Sequence, residues 1–206
     1  MPASPPGAAI LLAAGSSSRL GQPKQLVRHE GQSLLRRTAS LAIASGASPV
    51  IVVLGNSAAQ LRPELAGLPV SIVENSDWPT GMAGSLRCGL AQLLRLAPAV
   101  PAALLLVCDQ PGLRVTHLRQ LWEHQTQSNK VVAAQHHEGN PGVPAIFPAR
   151  FFPRLAELQG DQGARAFLRQ LPSSEIQIIP MPGAVADLDT QADLASWQAR
   201  TRRSQQ

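Results

Sequence analysis

"LLAAGSSSRLGQPKQL", Leu11 to Leu26, is the stretch on which the reading of this 206-residue chain turns. An apolar run feeds straight into Gly15, Ser16, Ser17, Ser18, Arg19 and Lys24. Such a run reads as a buried strand, and the glycine marks where it opens into a loop. In an open parallel sheet, ligands sit beyond the carboxyl ends of the strands. Gly15 lets backbone approach a ligand closely or adopt a positive φ. Successive N–H groups in such a turn can cradle oxyanions, and the three serine hydroxyls add donors. Arg19 can grip a phosphate with two hydrogen bonds, while Lys24 brings a mobile point charge. Eight residues separate Gly15 from Lys24, so the loop is neither GxxxxGK[ST] nor GxGxxG. It is long and wraps, and its chemistry suits a triphosphate.

Working outward, "AAILLA", "PVIVVLG", "PVSIVEN", "AALLLVCDQP" and "KVVAAQ" read as buried strands. "SLLRRTASLAIAS", "GSLRCGLAQLLRLA" and "VTHLRQLWEHQTQ" have helical spacing, and "AAQLRPELAG" reads as a short helix made irregular by its proline. Strands alternating with helices predict a three-layer α/β/α sandwich around a Rossmann-like, mostly parallel sheet. The second half is less regular: "GVPAIFP", a helix near "GARAFLRQL", a strand at "EIQIIPM" and a last helix from "TQADLASWQAR", with Thr190 and Asp193 as an approximate capping box. Residues 1–7 are expected to be a disordered proline-rich leader, 8–200 one domain, and 201–206 a disordered tail.

Composition narrows the function. The formal net charge is +5, carried almost wholly by arginine, since Lys24 and Lys130 are the only lysines. The arginines are scattered, aromatics are 3% and tyrosine is absent, which leaves few platforms for stacking nucleic-acid bases. A small phosphate-bearing ligand fits better. No apolar run is long enough to span a bilayer, and the start has neither the basic nor the apolar region of a signal peptide. Cys88 and Cys108 form no CxxC pair, so a reduced, cytoplasmic setting is expected. Adjacent His136 and His137 on a strand would point to opposite faces and should not share a metal ion.

Three further stretches complete the constellation. "VCDQP" puts Asp109 at the end of an apolar strand, on the sheet edge that carries the loop. "VADLDTQADL" offers Asp187 and Asp189 just before the last helix. In "NSDWPTGMAGSLRCGL", Gly81, Gly84 and Ser85 precede a helix whose first amides favour anions and base carbonyls.

Together these stretches resemble the nucleotidyltransferases that join a nucleoside monophosphate to a phosphorylated acceptor, with signature LxAGxSxRxGxxK. The nearest group is the molybdenum cofactor cytidylyltransferases and their guanylyltransferase cousins, and the likeness runs from Ala9 to about Trp197. It implies a fold of the nucleotide-diphospho-sugar transferase type. It implies that Leu12, Ala13, Ala14, Gly15, the serines, Arg19 and Lys24 contact the nucleotide, with Gly81, Gly84 and Ser85 near base and ribose. Asp109 would bind the catalytic Mg²⁺ with Asp189 as second ligand and Asp187 as a supporting charge. "DLDTQADL" departs from the group's "DIDTPEDL" at Gln191 and Ala192, which touches the helix start and not the carboxylates. "GNPGVPAIFP", with Gly142 and Pro144, and "GDQGAR", with Arg165, would face the acceptor. The partners implied are a nucleoside triphosphate, a phosphorylated pterin and a molybdenum hydroxylase client. Ala13–Ala14–Gly15, where guanylyl members carry AGG, leans the choice to CTP over GTP. The alternatives are a GTP enzyme, an NADPH-dependent oxidoreductase on this scaffold, and a non-catalytic accessory that delivers a cofactor.

Overall fold

The computed structural model describes residues 6–17, 20–136 and 139–203; in 200–203 only the backbone of the last helix is described. Ser18, Arg19 and His137 therefore lie outside the described residues, as do 1–5 and 204–206 of the expected leader and tail. A seven-stranded sheet runs through the molecule: β1 (Ala8–Ala13), β4 (Val50–Leu54), β5 (Ser71–Glu74), β6 (Ala102–Val107), β7 (Val131–Gln135), β8 (Pro141–Pro148) and β9 (Ile176–Pro180). The spatial order is β5-β4-β1-β6-β8-β7-β9. Only β8 runs against the others, pairing antiparallel with both β6 and β7.

The strand sequences explain the layers. Leu11, Val52 and Leu104 lie in one core cluster, while Ile10, Ile51 and Leu105 lie in the other. Successive residues thus point to opposite faces, both covered, as continuous apolar runs require. One face receives α1 (Leu34–Ala44) and α4 (Val115–Ser128), the other α3 (Met82–Leu96), α5 (Phe152–Ala156) and α6 (Ala164–Arg169). α2 (Ala58–Leu61) gives way at Arg62 to a 3₁₀ turn containing Pro63, the irregularity expected there. α7 (Gln191–Arg203) closes a third cluster, with Leu194 packed among Leu20, Val27, Leu34 and Leu188.

Several boundaries move. The leader ends earlier than residue 7: Gly7 accepts a hydrogen bond from the Ser48 N–H (2.8 Å), and a Cβ on it would lie 2.4 Å from the Ala102 carbonyl oxygen. α7 continues to Arg203, into the expected tail. A small hairpin, β2 (Arg28–His29) with β3 (Gln32–Ser33), and the helix α5 had no strong sequence signal. At the start of α7 the Thr190 Oγ1 accepts from the Asp193 N–H (3.2 Å) and Asp193 Oδ2 from the Thr190 N–H (2.8 Å), a complete capping box. Among the described residues no helix is long and apolar enough to cross a membrane.

Candidate active site

Register places the two critical strand ends side by side. Leu12 pairs with Val107, so the chain leaving β1 at Ala14–Gly15 and the chain leaving β6 at Cys108–Asp109 exit one sheet edge as neighbours. The distant carboxylates are brought in by backbone: the Leu188 N–H donates to the Asp109 carbonyl (2.8 Å). Gly112 permits that crossing, since a Cβ there would sit 2.2 Å from the Gly183 carbonyl oxygen.

At the junction Lys24 Nζ hydrogen-bonds Asp109 Oδ2 and reaches Asp189 Oδ1 at 3.2 Å. The lysine expected to hold phosphate thus lies between the two carboxylates expected to hold metal. Burial works against its ammonium, but the charge and hydrogen bond of Asp109, with Asp189 and Cys108 nearby, outweigh it and raise its pKa. Burial also raises the pKa of Asp109, more than Lys24 offsets, and Asp187 adds to the rise. Its Oδ1 is buried without a hydrogen-bond partner. An unpartnered carboxylate oxygen beside this ion pair fits a ligand to a bound cation. Among the described residues no cluster of three or more His, Cys, Asp or Glu is placed to hold a metal, so a cation here would rest on two carboxylates and its ligand's oxygens. Cys108 is buried and pushed up to about 12, which leaves it an unreactive thiol.

Two cavities meet at this lysine. The first, about 340 Å³, is lined by Leu12, Ala13, Ala14, Gly15 and Ser16 on one side and by Trp78, Gly81 and Ser85 on the other. The second, about 490 Å³, is lined by Gln110, Val143, Arg165, Arg169, Asp187 and Asp189. Leu12, Lys24, Met82, Val107, Asp109 and Asp161 belong to both. Two ligands could thus meet across Lys24 and Asp109.

The loop after β1 is fastened by Gln25, which the sequence reading passed over. Its buried amide donates to the carbonyls of Ala13 (3.0 Å) and Gly15 (2.9 Å), and its Oε1 accepts from Ser17 Oγ (3.3 Å). Ser17 Oγ in turn accepts from the Lys24 N–H (3.1 Å). Of the two roles open to Gly15 it does not take the positive φ; in this loop Ser17 does, at 54°. A Cβ on Gly15 would meet open space, because the residue borders the cavity. The Ala14 methyl lies toward Gly55, where a Cβ would approach it to 2.8 Å.

Other expectations need correction. α3 begins at Met82, so only Gly81 precedes it, and Gly84 and Ser85 fall in its first turn. Gly84 lines neither cavity: it sits over Thr80 and Asn75. Ser85 lines the first cavity, but its Oγ accepts a hydrogen bond from Asn75 Nδ2 (3.0 Å). Gly142 and Pro144 are buried in β8 and line neither cavity, whereas Val143 between them lines the second. Strand alternation turns neighbours to opposite faces, and the motif alone could not say which residue faces in. Asp187 is engaged away from Lys24, accepting from Gln110 Nε2 (3.0 Å) and Arg165 Nη2 (3.5 Å). Of the three tryptophans, Trp122 is buried, Trp197 sits edge-on to His29 and Trp78 lines the first cavity. Met82, Pro79 and Asp161 also line it, although the reading of their motifs singled out other residues.

The chain matches the family model of the MobA-like NTP transferase domain over residues 9–176. It is 35% identical over 170 residues to a nicotine blue oxidoreductase of Paenarthrobacter nicotinovorans, covering 79% of this chain and 81% of that one. It is 32% identical over 196 residues to a probable molybdenum cofactor guanylyltransferase of Nostoc sp., covering 92% and 89%. Among solved structures, Rv0371c of Mycobacterium tuberculosis superposes with TM-score 0.77 at 29% identity over 94% of this chain and 98% of that one, and it has also been solved in complex with manganese. With the family model spanning most of the chain, the protein belongs to the MobA-like NTP transferase family of nucleotidyltransferases.

Proposed function

We propose that the protein transfers CMP from CTP to the terminal phosphate of molybdopterin or molybdenum cofactor, with release of pyrophosphate, in a Mg²⁺-dependent reaction. The observation that carries this reading is the meeting of two cavities at Lys24, Asp109 and Asp189, with one buried oxygen of Asp109 unpartnered. A phosphate oxygen of the acceptor attacks the α-phosphorus in line; the new P–O bond forms as the bond to the β-phosphate oxygen breaks. Such transfer asks for positioning and charge stabilisation more than covalent help from the protein.

The β1 loop binds the triphosphate through Gly15, Ser16 and Lys24, joined by Ser18 and Arg19. Gly81 and Ser85 border base and ribose, and Arg165 meets the acceptor. Asp109 and Asp189 would hold Mg²⁺, which supplies neutralisation of the charge that builds on the phosphates. The manganese complex of Rv0371c supports a divalent cation on this scaffold. Lys24, released from the carboxylates, turns its ammonium to the triphosphate. Choice of CTP rests on Ala13–Ala14–Gly15 in the cavity lining, where the guanylyl members of the family carry AGG. A molybdenum hydroxylase is the client expected to take the product.

The similarity to a nicotine blue oxidoreductase favours one second reading, reduction of a small heteroaromatic substrate by NADPH. The two readings separate in one thermal-shift experiment with Mg²⁺ and each of CTP, GTP, ATP, UTP and NADPH. A ligand at 100 times its Kd adds about 2.7 kcal/mol to the folded state. A magnesium-dependent shift with CTP, followed by pyrophosphate release with molybdopterin, is the expected result. A shift with GTP alone changes the base; a shift with NADPH that ignores magnesium overturns the transfer reading.

A further inference from the structure

A closed ring of hydrogen bonds runs along the second cavity. The Val143 carbonyl accepts from Gln110 Nε2 (3.0 Å) and from His136 Nε2 (2.6 Å). Gln110 Nε2 also donates to Asp187 Oδ1 (3.0 Å), and Asp187 Oδ2 accepts from Arg165 Nη2 (3.5 Å). Arg165 Nη2 donates to His136 Nδ1 (3.2 Å), which closes the ring. Five residues from five segments are tied together.

The ring fixes the chemistry of His136. A carbonyl can only accept, so Nε2 carries the proton; a guanidinium can only donate, so Nδ1 presents its lone pair. One neutral tautomer satisfies both contacts. Gly142 makes room for it, because a Cβ there would lie 2.5 Å from the imidazole. Arg165 is half exposed and would otherwise sample many rotamers at an entropic cost to binding. Both of its contacts in the ring use Nη2, which leaves the Nη1 and Nε donors for a ligand. Arg169, four residues on and on the same side of α6, lines the same cavity and makes no ion pair among the described residues.

We propose that His136 is a positioning residue for the second substrate: it holds Arg165 so that Arg165 and Arg169 together take an anionic, phosphate-bearing group of the acceptor. The inference rests on the transfer reaction proposed above. Two substitutions separate positioning of Arg165 from support of the β8 wall. In His136→Asn the amide oxygen can replace Nδ1 as the acceptor for Arg165. In His136→Gln the amide nitrogen can replace Nε2 as the donor to Val143, leaving the Nδ1 contact with Arg165 unreplaced.

Pyrophosphate release is measured with Mg–CTP and molybdopterin. For His136→Gln and Arg169→Ala the expected result is a KM for molybdopterin raised about tenfold, the scale of one charge-assisted hydrogen bond. The KM for CTP and kcat should stay within about twofold, and His136→Asn should stand near wild type. Long-range ¹H–¹⁵N NMR of the imidazole should show the Nε2–H tautomer, with the Nδ1 signal displaced in Arg165→Ala. A His136→Gln enzyme equal to wild type, or an Nδ1–H tautomer, overturns the inference while leaving nucleotidyl transfer intact. A wild-type protein that releases no pyrophosphate with any triphosphate overturns the transfer reading, and the acceptor role of His136 with it.

Discussion

The two cavities, proposed to take nucleotide and acceptor, are built in opposite ways. The first cavity takes much of one wall from a single continuous segment, Leu12 to Gln25, fastened to itself by the buried amide of Gln25. The second is woven from the ends of β6 and β8, from α6, and from the turn before α7, joined by the ring through His136 and Arg165. A ligand common to many enzymes can be met by one portable loop. A particular acceptor needs side chains gathered from many places, and these can change one at a time. Lys24, Asp109 and Asp189 belong to neither design alone; they stand where the two meet.

Cutting that seam should give the largest effect. Asp109→Asn keeps the shape and removes the charge, and should lower kcat about 10²–10³-fold, the usual loss of one preorganised electrostatic contributor. Lys24→Met should abolish turnover as well and, by stranding Asp109, cost about 3 kcal/mol of stability in urea unfolding, the lower end for a buried pair, because the lysine side chain keeps 20% exposure. The double variant Lys24→Met/Asp109→Asn should regain most of that stability and none of the activity. Near-native turnover in Asp109→Asn would mean that the reaction does not occur at the junction of the cavities.

The same contrast explains what could be read in the sequence. The β1 loop and the Asp109 strand end are local patterns, and parallel pairing of apolar runs such as "AAILLA" and "AALLLVC" brings them to one edge. The acceptor side is not local. That Val143 rather than Gly142 or Pro144 faces the cavity depends on the register of an antiparallel strand inserted between β6 and β7. Gln25 looked like one more polar residue after a lysine, and only its burial reveals that it ties the loop. Met82 and Asp161 enter both cavities because the turn at Gly160 lies over the start of α3, where the Ala83 N–H donates to the Gly160 carbonyl (3.1 Å).

That turn offers a way to disturb both sides at once. Gly81 has φ 116°, a region that side chains rarely enter, and a Cβ would lie 2.3 Å from the Gly160 carbonyl. Gly81→Ala should cost about 1–3 kcal/mol in strain alone and push the turn with Asp161 away, so the KM for nucleotide and for acceptor should rise together. Gln25→Leu should act on one side only. It leaves two carbonyls and the Ser17 hydroxyl without their partner, at about 1–3 kcal/mol in stability for a buried unsatisfied group. The KM for nucleotide should rise while that for acceptor holds. Equal rises in both would mean that the β1 loop is not an independent unit.

The smallest effect is expected at Gly84, and it sharpens where the nucleotide side ends. A motif reading puts this glycine against base or ribose. In the fold it lies in the first turn of α3, outside both cavities, and a Cβ would meet Thr80 Oγ1 at 3.4 Å and Asn75 Nδ2 at 3.5 Å, ordinary contact distances. Its φ is not in the left-handed region, so alanine is sterically admissible there. Replacing a helical glycine by alanine at a compatible site stabilises by about 0.4–1 kcal/mol, chiefly by restricting the unfolded chain. Gly84→Ala should therefore raise the thermal midpoint slightly and leave the KM for CTP within about twofold, a change of less than 0.5 kcal/mol. A large rise in that KM with unchanged stability would extend the nucleotide site to Gly84, which lies between the cavity-lining Met82 and Ser85 but outside the lining itself.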